Sequence, residues 1–311
     1  MKKISTNLVH AQVLTPYERL LRRENAPSER LFDSCGIPVE AVFDPGAMIT
    51  MRQAHCFGEK AARYTGDESL GVSVARHLEL KELGVTAAAV QRSATFFDAG
   101  PAIRKTVEAA EPGSRLWTTQ DEDQAFLCYR PERRHSGGIQ SELFDLQCLV
   151  KFIRLAADAE WTPDAIQVTS ESRRILRRVP EFGDADIRRH HRTTAVAFPR
   201  AILSRPLKDV TRDPGADGAP VETNGQRLSE EFDVPAAVTT IIKSLSRFEP
   251  VPPMEQMAER FGVAGRTLQR ALSDSETSYR QLAERETFRR ATCLLTEERM
   301  SVKWIAAELG Y

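Results

Sequence analysis

The sequence predicts two domains, an N-terminal α+β domain followed by an all-α domain. Three observations support this prediction. The 311 residues exceed the usual size of one compact domain. Residues 212–235 collect Pro, Gly, Asp and Asn without apolar periodicity, which is typical of a linker. Beyond this segment the apolar patterns are helical, so we place the domains at residues 1–211 and 236–311.

The first domain mixes two kinds of pattern. Residues 83–110 have helical spacing, with apolar side chains three or four positions apart that include Val90, Ala94, Phe97, Ile103 and Val107. Residues 115–132, 166–172 and 194–199 are rich in strand formers, and the first of these ranges has charged residues at a predicted turn. We therefore expect both helices and a sheet.

In the second domain the sequence predicts a helix over residues 236–248, ended by the Pro-rich residues 249–253. A second helix is expected to start directly after Pro253, where a missing N–H group is tolerated.

The overall composition excludes several classes of protein. Hydrophobic residues make up 41% and charged residues 28% of the chain, which excludes a collagen-like or mostly disordered protein. Lys plus Arg is 43 and Asp plus Glu is 44, so any basic surface must be local. The N-terminus lacks the apolar core of a signal peptide, and no window reaches the roughly 18 apolar residues of a membrane helix. We therefore expect a cytoplasmic protein without a membrane partner.

The cysteines indicate neither a disulfide framework nor a zinc site. They are odd in number, scattered, and never form a C-x-x-C pair, so we expect reduced core thiols. The five are Cys35, Cys56, Cys128, Cys148 and Cys293.

Residues 254–274 have the spacing of a helix-turn-helix. Ala258 is small enough for two helices to cross closely, and Gly262, four residues later, can adopt the positive φ of a tight turn. Val263 and Leu268 would fill the space between the helices.

This arrangement directs Arg266, Gln269 and Arg270 outward on the second helix. Arginine can bond guanine, and glutamine adenine, through two hydrogen bonds each, so we predict that these three contact base edges. We predict phosphate contacts for three further residues, Thr267, Ser278 and Tyr279. The alternative is an ordinary solvated helix face.

The chain also repeats the first half of this motif. MEQMAERFGV aligns with SVKWIAAELGY at an offset of 48 residues, which pairs Met257 with Ile305 and Gly262 with Gly310. Between the copies, Ser278 and Gln281 have the spacing of a capping box, and residues 278–295 are expected to form a connecting helix. Its length would be about 27 Å at 1.5 Å per residue. Two helix-turn-helix motifs joined by such a helix could enter major-groove segments roughly 34 Å apart.

These residues resemble the AraC/XylS family of transcription regulators. The matching strings are GRTLQRAL, SETSYRQL, RRATCLL and WIAAELGY, and the region of resemblance extends from about residue 236 to the end. The resemblance implies two helix-turn-helix units joined by one long helix, with Arg266, Gln269 and Arg270 as base contacts of the first unit.

The first domain resembles the arabinose-binding-type ligand and dimerisation domain found on some members. The similar strings lie between residues 36 and 210: TGDESLGVSVARHL, SATFFDAGPAIRKTVE, EWTPDAIQVT and FGDADIRRHHRTTAVAF. The resemblance implies a small-molecule effector and a homodimer, without identifying the effector or the residues that bind it.

Three positions depart from the family pattern. Ala264 stands where a Ser or Thr usually caps the recognition helix, a loss of about 1 kcal/mol. Thr287 replaces a usual arginine. The sequence stops at Tyr311, so the second helix-turn-helix is incomplete, and we expect weaker DNA binding than in a relative extended through the missing helices.

Other site types find little support. The adjacent His190 and His191 are poor joint metal ligands on a strand. No carboxylate or second histidine lies at the sequence spacing that would make His55-Cys56 a nucleophile site, so we predict no catalytic or metal site and no cofactor. Basic residues at 188–192 and 130–135 could bind an anionic effector, although a solvated surface is the simpler interpretation. The aromatic residues Phe96, Phe97 and Trp117 could line an effector pocket or belong to the core.

We therefore predict an α+β effector-binding domain followed by an all-α helix-turn-helix DNA-binding domain whose second unit is incomplete. Its function would be effector-controlled, sequence-specific transcription regulation. The partners would be double-stranded DNA, a small molecule, a second copy of this chain in a homodimer, and RNA polymerase. One alternative is a ligand-binding, dimerising protein with impaired DNA binding that competes with intact subunits. A small-molecule enzyme fused to a vestigial helix-turn-helix is a third.

Overall fold

The structure is a computed structural model, and it describes residues 4, 6–78, 93–111, 114–131, 138–189, 192–208, 233–296 and 300–309. The chain divides into two compact units. The first combines Met1–Phe57 with Glu230–Tyr311, and the second is Gly58–Ser229. The predicted mixture of helices and strands is confirmed. The predicted linker at 212–235 lies outside the described residues as far as residue 232, and the predicted domain boundaries stay a prediction.

The described elements follow one another along both units. The strands are β1 (Leu8–His10), β2 (Met48–Thr50), β3 (Arg115–Gln120), β4 (Gln124–Arg130), β5 (Ala165–Val168), β6 (Asp186–Arg189) and β7 (Thr194–Pro199). The helices are α1 (Thr15–Arg23), α2 (Ser28–Asp33), α3 (Met51–Thr65), α4 (Leu70–His77), α5 (Phe96–Ala110), α6 (Ile139–Arg154), α7 (Arg173–Leu176), α8 (Val234–Leu245), α9 (Met254–Arg260), α10 (Gly265–Ser273), α11 (Tyr279–Thr296) and α12 (Val302–Glu308). Short 3-10 turns lie at Ala11–Leu14, Val39–Phe43 and Arg200–Ser204.

The second unit is built on a five-stranded sheet with the order β3-β4-β7-β5-β6. β5 and β6 are parallel, and the other neighbours are antiparallel. The central strand β7 is buried at every position except its last, which explains its nearly continuous apolar sequence. The edge strand β6 directs only Ile187 into the core and exposes charged side chains, which protects the edge from pairing with other chains.

Helix α6 supplies one side of the core of the second unit. Its fully buried side chains Leu143, Leu146, Val150 and Ile153 follow a spacing of three and four residues. They pack in one cluster with inward residues of the sheet.

Helix α5 also contributes side chains to this cluster, but its buried face is not the one that the sequence predicted. Thr95 and Asp98 form a capping box that fixes its start. Phe96 is buried, and its ring meets that of Phe198 at 5.9 Å. Phe97, which was predicted to lie on the apolar stripe, is 67% exposed, so that assignment was wrong. The cap places the core-facing position one residue earlier. Val90, the first predicted member of the stripe, lies outside the described residues.

In the first unit the N-terminal strands share a core with the C-terminal helices. Leu8 and Met48, from the antiparallel pair β1 and β2, lie in one apolar cluster with buried residues of α8 to α11. Two buried hydrogen bonds join the same parts. Met48 N donates to Ser244 Oγ at 2.9 Å, and Thr50 Oγ1 donates to the Arg260 carbonyl at 2.9 Å.

The helices of residues 233–296 follow the predicted order, with shifted ends. Helix α8 begins two residues before the predicted start because the Asp233 side chain accepts a hydrogen bond from Ala236 N at 2.7 Å. It ends at Leu245, three residues before the predicted end. Helix α9 begins directly after Pro253, as predicted.

Candidate nucleic-acid interface

Helices α9 and α10 are joined by a tight turn at Gly262. This glycine has a φ of +69°, a left-handed value that other residues rarely adopt. Its N–H donates to the Glu259 carbonyl at 2.8 Å, and Val263 N donates to the Ala258 carbonyl at 3.0 Å. Ala258 is buried, which allows close packing beside the turn. The reasons that predicted Ala258 and Gly262 from the sequence are therefore present in the structure.

Gly262 also lies close to a side chain from a distant segment. A Cβ atom at this position would lie 2.8 Å from Cδ of Arg52, in the first turn of α3. The sequence did not indicate this contact, because the two residues lie on segments far apart in the chain. A substitution at Gly262 would therefore strain the backbone and displace the flexible side chain of Arg52.

Helix α10 is anchored through one face only. Leu268 and Leu272 are fully buried and belong to the core of the first unit. Its N-cap residue Ala264 has an extended backbone and makes no side-chain cap, as its methyl group requires.

The predicted base-contacting residues share the other face of α10. Arg266, Gln269 and Arg270 are all exposed. Helix α10 carries two arginines and no acidic residue, so its surface is locally basic although the whole chain is nearly neutral. The three side chains are thus accessible together.

The three predicted phosphate contacts differ from one another. Thr267 is half-buried on α10. Ser278 is exposed and forms the predicted capping box, which is confirmed: its N–H donates to Gln281 Oε1 at 2.9 Å, and Gln281 N donates to Ser278 Oγ at 3.3 Å.

The Tyr279 hydroxyl is already engaged within the protein. It donates a hydrogen bond to the Pro252 carbonyl, and burial raises the pKa of Tyr279 to about 12. A proton held by an internal carbonyl is not available to a phosphate oxygen. We therefore leave Tyr279 out of the proposed phosphate contacts.

The repeated motif appears in the helix boundaries. Helix α9 begins at Met254 and α12 at Val302, and each has seven residues, so the predicted offset of 48 recurs in the helices. Met257 and its counterpart Ile305 are both buried. Gly310, the counterpart of Gly262, lies outside the described residues. The 18-residue helix α11 lies between the copies, one residue later at each end than predicted.

Arg260 was not singled out from the sequence. It is 8% exposed at the end of α9, where Nη2 donates to Glu249 Oε1 at 2.9 Å and Nε donates to the Gly36 carbonyl at 3.2 Å. An arginine in a charged stretch looks like a surface residue, and the sequence offers no sign that a distant carbonyl lies opposite it.

The aromatic residues considered for an effector pocket are not brought together. Phe96 lies in the core and Phe97 is exposed. Trp117 is half-buried on β3, with the Arg130 guanidinium 5.5 Å from its ring centroid. The structure therefore gives no common pocket to these three side chains.

In the basic run at 188–192, Arg188 and Arg189 are held in ion pairs. Arg188 forms an ion pair with Asp186 at 2.6 Å, and Arg189 forms one with Glu171. Charges that are already paired leave less attraction for an anionic effector. His190 and His191 lie outside the described residues, as do residues 132–135 of the other run.

A buried carboxylate holds several segments of the second unit together. Glu142 of α6 accepts hydrogen bonds from Thr169, Ser170, Ser172 and Thr194, including the backbone N–H groups of the first two. Sequence reasoning missed it, since a single Glu in an amphipathic helix usually faces water.

Two further titratable groups of the second unit have raised pKa values. Burial, with the neighbouring carboxylates of Glu111 and Glu142, raises the pKa of Asp145 well above its usual range. Burial, reinforced by Glu111, also raises the pKa of Tyr129, whose hydroxyl donates to the Glu111 carboxylate. The raised pKa values mean that Asp145 and Tyr129 each favour the protonated form.

The described residues contain no group of three or more His, Cys, Asp or Glu side chains arranged to hold a metal ion. Among the helices that the structure describes, none has both the length and the apolar character needed to cross a membrane.

One of three comparisons with known proteins shows the family of this chain. The family described as the arabinose-binding domain of AraC transcription regulators, N-terminal, matches residues 26–207. The chain is also similar to the crystal structure of the transcriptional regulator CdpR from Pseudomonas aeruginosa. That match has 16% sequence identity, a TM-score of 0.42, and covers 96% of this chain and 90% of that one. A comparison with curated proteins gave no match. Because residues 26–207 are more than half of the sequence, the chain belongs to the family of AraC-type transcription regulators with an N-terminal arabinose-binding domain.

Proposed function

We propose that this chain is a sequence-specific DNA-binding transcription regulator controlled by a small-molecule effector. The observation that carries the proposal is the exposed face of α10, where Arg266, Gln269 and Arg270 stand together. A helix held on one side by Leu268 and Leu272, with guanidinium and amide groups on the other, fits the major groove.

The proposed reading unit is the helix-turn-helix of α9 and α10. Its tight turn at Gly262 and its buried Ala258 meet the steric demands of such a unit. Helix α12 would begin a second helix-turn-helix, 48 residues after the start of α9. At about 1.5 Å per residue, the 18 residues of α11 span about 27 Å, compatible with neighbouring major-groove segments.

Effector control is supported by the family match together with one feature of the first unit. Residues 26–57 belong both to the matched segment and to the unit that contains α8 to α12. Within that unit Gly36 and Thr50 are hydrogen-bonded to Arg260, at the end of α9. A change in the conformation of residues 26–57 would therefore act on the proposed DNA-binding helices directly.

Selection of duplexes from a random-sequence library by the purified full chain tests DNA recognition. We expect an enriched motif, bound more tightly than its scrambled version in fluorescence anisotropy. The triple variant R266A/Q269A/R270A should lose this preference. The matched control R188A/R189A, which removes two paired arginines from β6, should retain it. Absence of enrichment, or equal loss in the control, would contradict the proposal.

A thermal-shift screen tests the effector, with L-arabinose as the first compound because the family description names that sugar. A ligand that binds only the folded state raises the melting temperature, by an amount that grows with its concentration. The same ligand should change the affinity for the enriched duplex. A ligand that stabilises the protein but leaves DNA affinity unchanged would speak against effector control.

A further inference from the structure

Two cysteines of the first unit lie unusually close together. The Sγ atoms of Cys35 and Cys56 are 3.0 Å apart, although 21 residues separate them in the sequence. Both are reduced thiols in the structure. A disulfide has an S–S distance of about 2.05 Å, so a closure of about 1 Å would join them.

The surroundings hold the two thiols in this position. Cys35 follows α2 and precedes Gly36, whose φ of +64° turns the chain back, while Cys56 lies on α3. Gln53, three residues before Cys56 on the same face of α3, donates from Nε2 to the carbonyls of Gly36 at 2.7 Å and Cys35 at 3.3 Å. These two hydrogen bonds hold the backbone of Cys35 and Gly36 next to α3, and so keep the two sulfur atoms close together.

We propose that Cys35 and Cys56 form a redox modification site, at which a hydroperoxide converts the two thiols into an intramolecular disulfide. The oxidation chemistry itself does not require that the chain bind DNA. Disulfides in reducing compartments are usually transient and redox-sensing, and a sensor cysteine works best beside a resolving one.

The reaction needs one equivalent of hydroperoxide. Cys56 is half-buried and Cys35 is 9% exposed, so Cys56 attacks first. Its thiolate takes the distal peroxide oxygen to give a sulfenic acid, and the leaving oxygen departs as an alcohol, or as water from hydrogen peroxide. The Cys35 thiolate then attacks the Cys56 sulfur, which forms the S–S bond and releases water. Two thiols lose two electrons, and the peroxide gains them.

Other cysteines are less suited to this chemistry. Burial raises the pKa of both Cys128 and Cys148, which lowers their thiolate fraction. Cys293 is half-buried on α11, which makes it a matched control for Cys56.

The thiol pair is also connected to α9. Arg260 Nε donates to the Gly36 carbonyl, one residue from Cys35, and a Cβ at Gly36 would lie only 3.2 Å from Nε of Arg260. A shift of the Cys35–Gly36 backbone toward α3 on oxidation must therefore alter this contact. We expect the hydrogen exchange of residues 254–262 to change on oxidation.

Peptide mass spectrometry of the full chain after titration with hydrogen peroxide and alkylation of the remaining thiols tests the site. We expect a linked peptide containing Cys35 and Cys56, a loss of two alkylatable thiols, and reversal by dithiothreitol. In C35S the Cys56 sulfenic acid should accumulate and react with dimedone. C56S should form no link, whereas C293S should behave like the unmodified chain.

Three outcomes would overturn the inference. The first is oxidation of Cys293 at a peroxide dose that leaves the pair reduced. The second is a link that includes any other cysteine in place of Cys35 or Cys56. The third is a C35S protein that gives no dimedone adduct at Cys56. If the disulfide forms while exchange in residues 254–262 is unchanged, the modification site stands and its connection to α9 is wrong.

Discussion

The guanidinium of Arg260 donates a hydrogen bond to the main-chain carbonyl of Gly36, 224 residues earlier in the sequence. The same guanidinium also forms an ion pair through Nη2 with Glu249 Oε1 at 2.9 Å. One buried side chain thus connects a turn in the N-terminal part of the first unit with the loop that precedes α9.

Replacement of Arg260 by methionine should destabilise the first unit by about 2 kcal/mol, because the Gly36 carbonyl and Glu249 lose a charged donor in a buried place. The matched control is R247M. Arg247 pairs with Asp44 at 3.0 Å, but its side chain is 44% exposed, so its loss should cost less than about 1 kcal/mol. Thermal unfolding followed by circular dichroism compares the two, and equal losses would contradict the role given to Arg260.

The substitution R270A should weaken binding to the enriched duplex by about 1 to 3 kcal/mol and relax preference at one base pair. The comparison variant T267V removes a proposed phosphate contact and should weaken binding to all sequences about equally. Anisotropy titrations against a panel of single-base variants separate these patterns. An R270A protein with unchanged sequence preference would refute base contact by Arg270.

A serine at position 264 should stabilise the protein by about 1 kcal/mol. Ala264 already has the extended backbone of an N-cap, so a serine hydroxyl could accept a hydrogen bond from the first turn of α10 without rearrangement. The control A307S introduces the same residue at an exposed position in the last turn of α12, where it cannot act as an N-cap, and should be slightly destabilising. Urea titration measures both, and a loss of stability in A264S would count against the cap geometry.

The variant D145N should become progressively more stable than the unmodified protein as the pH rises. The folded protein holds the Asp145 proton more tightly than the unfolded chain, since its pKa is raised above the usual 3.8. The stabilising contribution of the protonated form is fully present below the unfolded pKa and is lost as the pH rises through the folded pKa.

Melting temperatures from pH 4.5 to pH 9 test this linkage. The gain in stability of D145N should be largest at the upper end of this pH range. The exposed Asp158, which pairs with Lys208, supplies the control D158N. A D145N curve parallel to that of the unmodified protein would show that ionisation of Asp145 does not affect folding.

Removal of the Glu142 carboxylate should destabilise the second unit by about 3 kcal/mol in E142A, because several buried donors lose their acceptor. E142Q should cost about 2 kcal/mol, since its amide presents donors to other donors. The exposed Glu160 offers the control E160Q, expected within about 0.5 kcal/mol of the unmodified protein. Amide hydrogen exchange at Thr169 and Ser170 locates the effect. No increase there in E142A would contradict the assigned hydrogen bonds.

Local patterns in the sequence predicted much of this fold. The β3–β4 hairpin, the start of α9 and the extent of α11 could be predicted because turn residues, Pro253 and the Ser278–Gln281 capping box act within a few residues. The turn at Gly262 and the outward face of α10 follow from helical spacing in the same way.

Features that depend on tertiary contacts could not be predicted. Arg260 and Gly36, or Cys35 and Cys56, become neighbours only when segments distant in the chain meet, and no periodicity signals such a meeting. The burial of Glu142 likewise depends on donor groups of four residues in later segments. The Phe97 error had a local cause, since the Thr95 cap turns Phe96 and not Phe97 toward the core.

The discontinuous first unit bears on how the protein is synthesised. Residues 58–229 are contiguous, so the second unit can fold as soon as they leave the ribosome, whereas residues 1–57 must wait for their partners near the end of the chain. During that delay the apolar side chains of β1 and β2 that pack against the C-terminal helices, among them Leu8 and Met48, remain uncovered. We expect a chaperone to be needed most between the completion of residue 229 and the release of the finished chain.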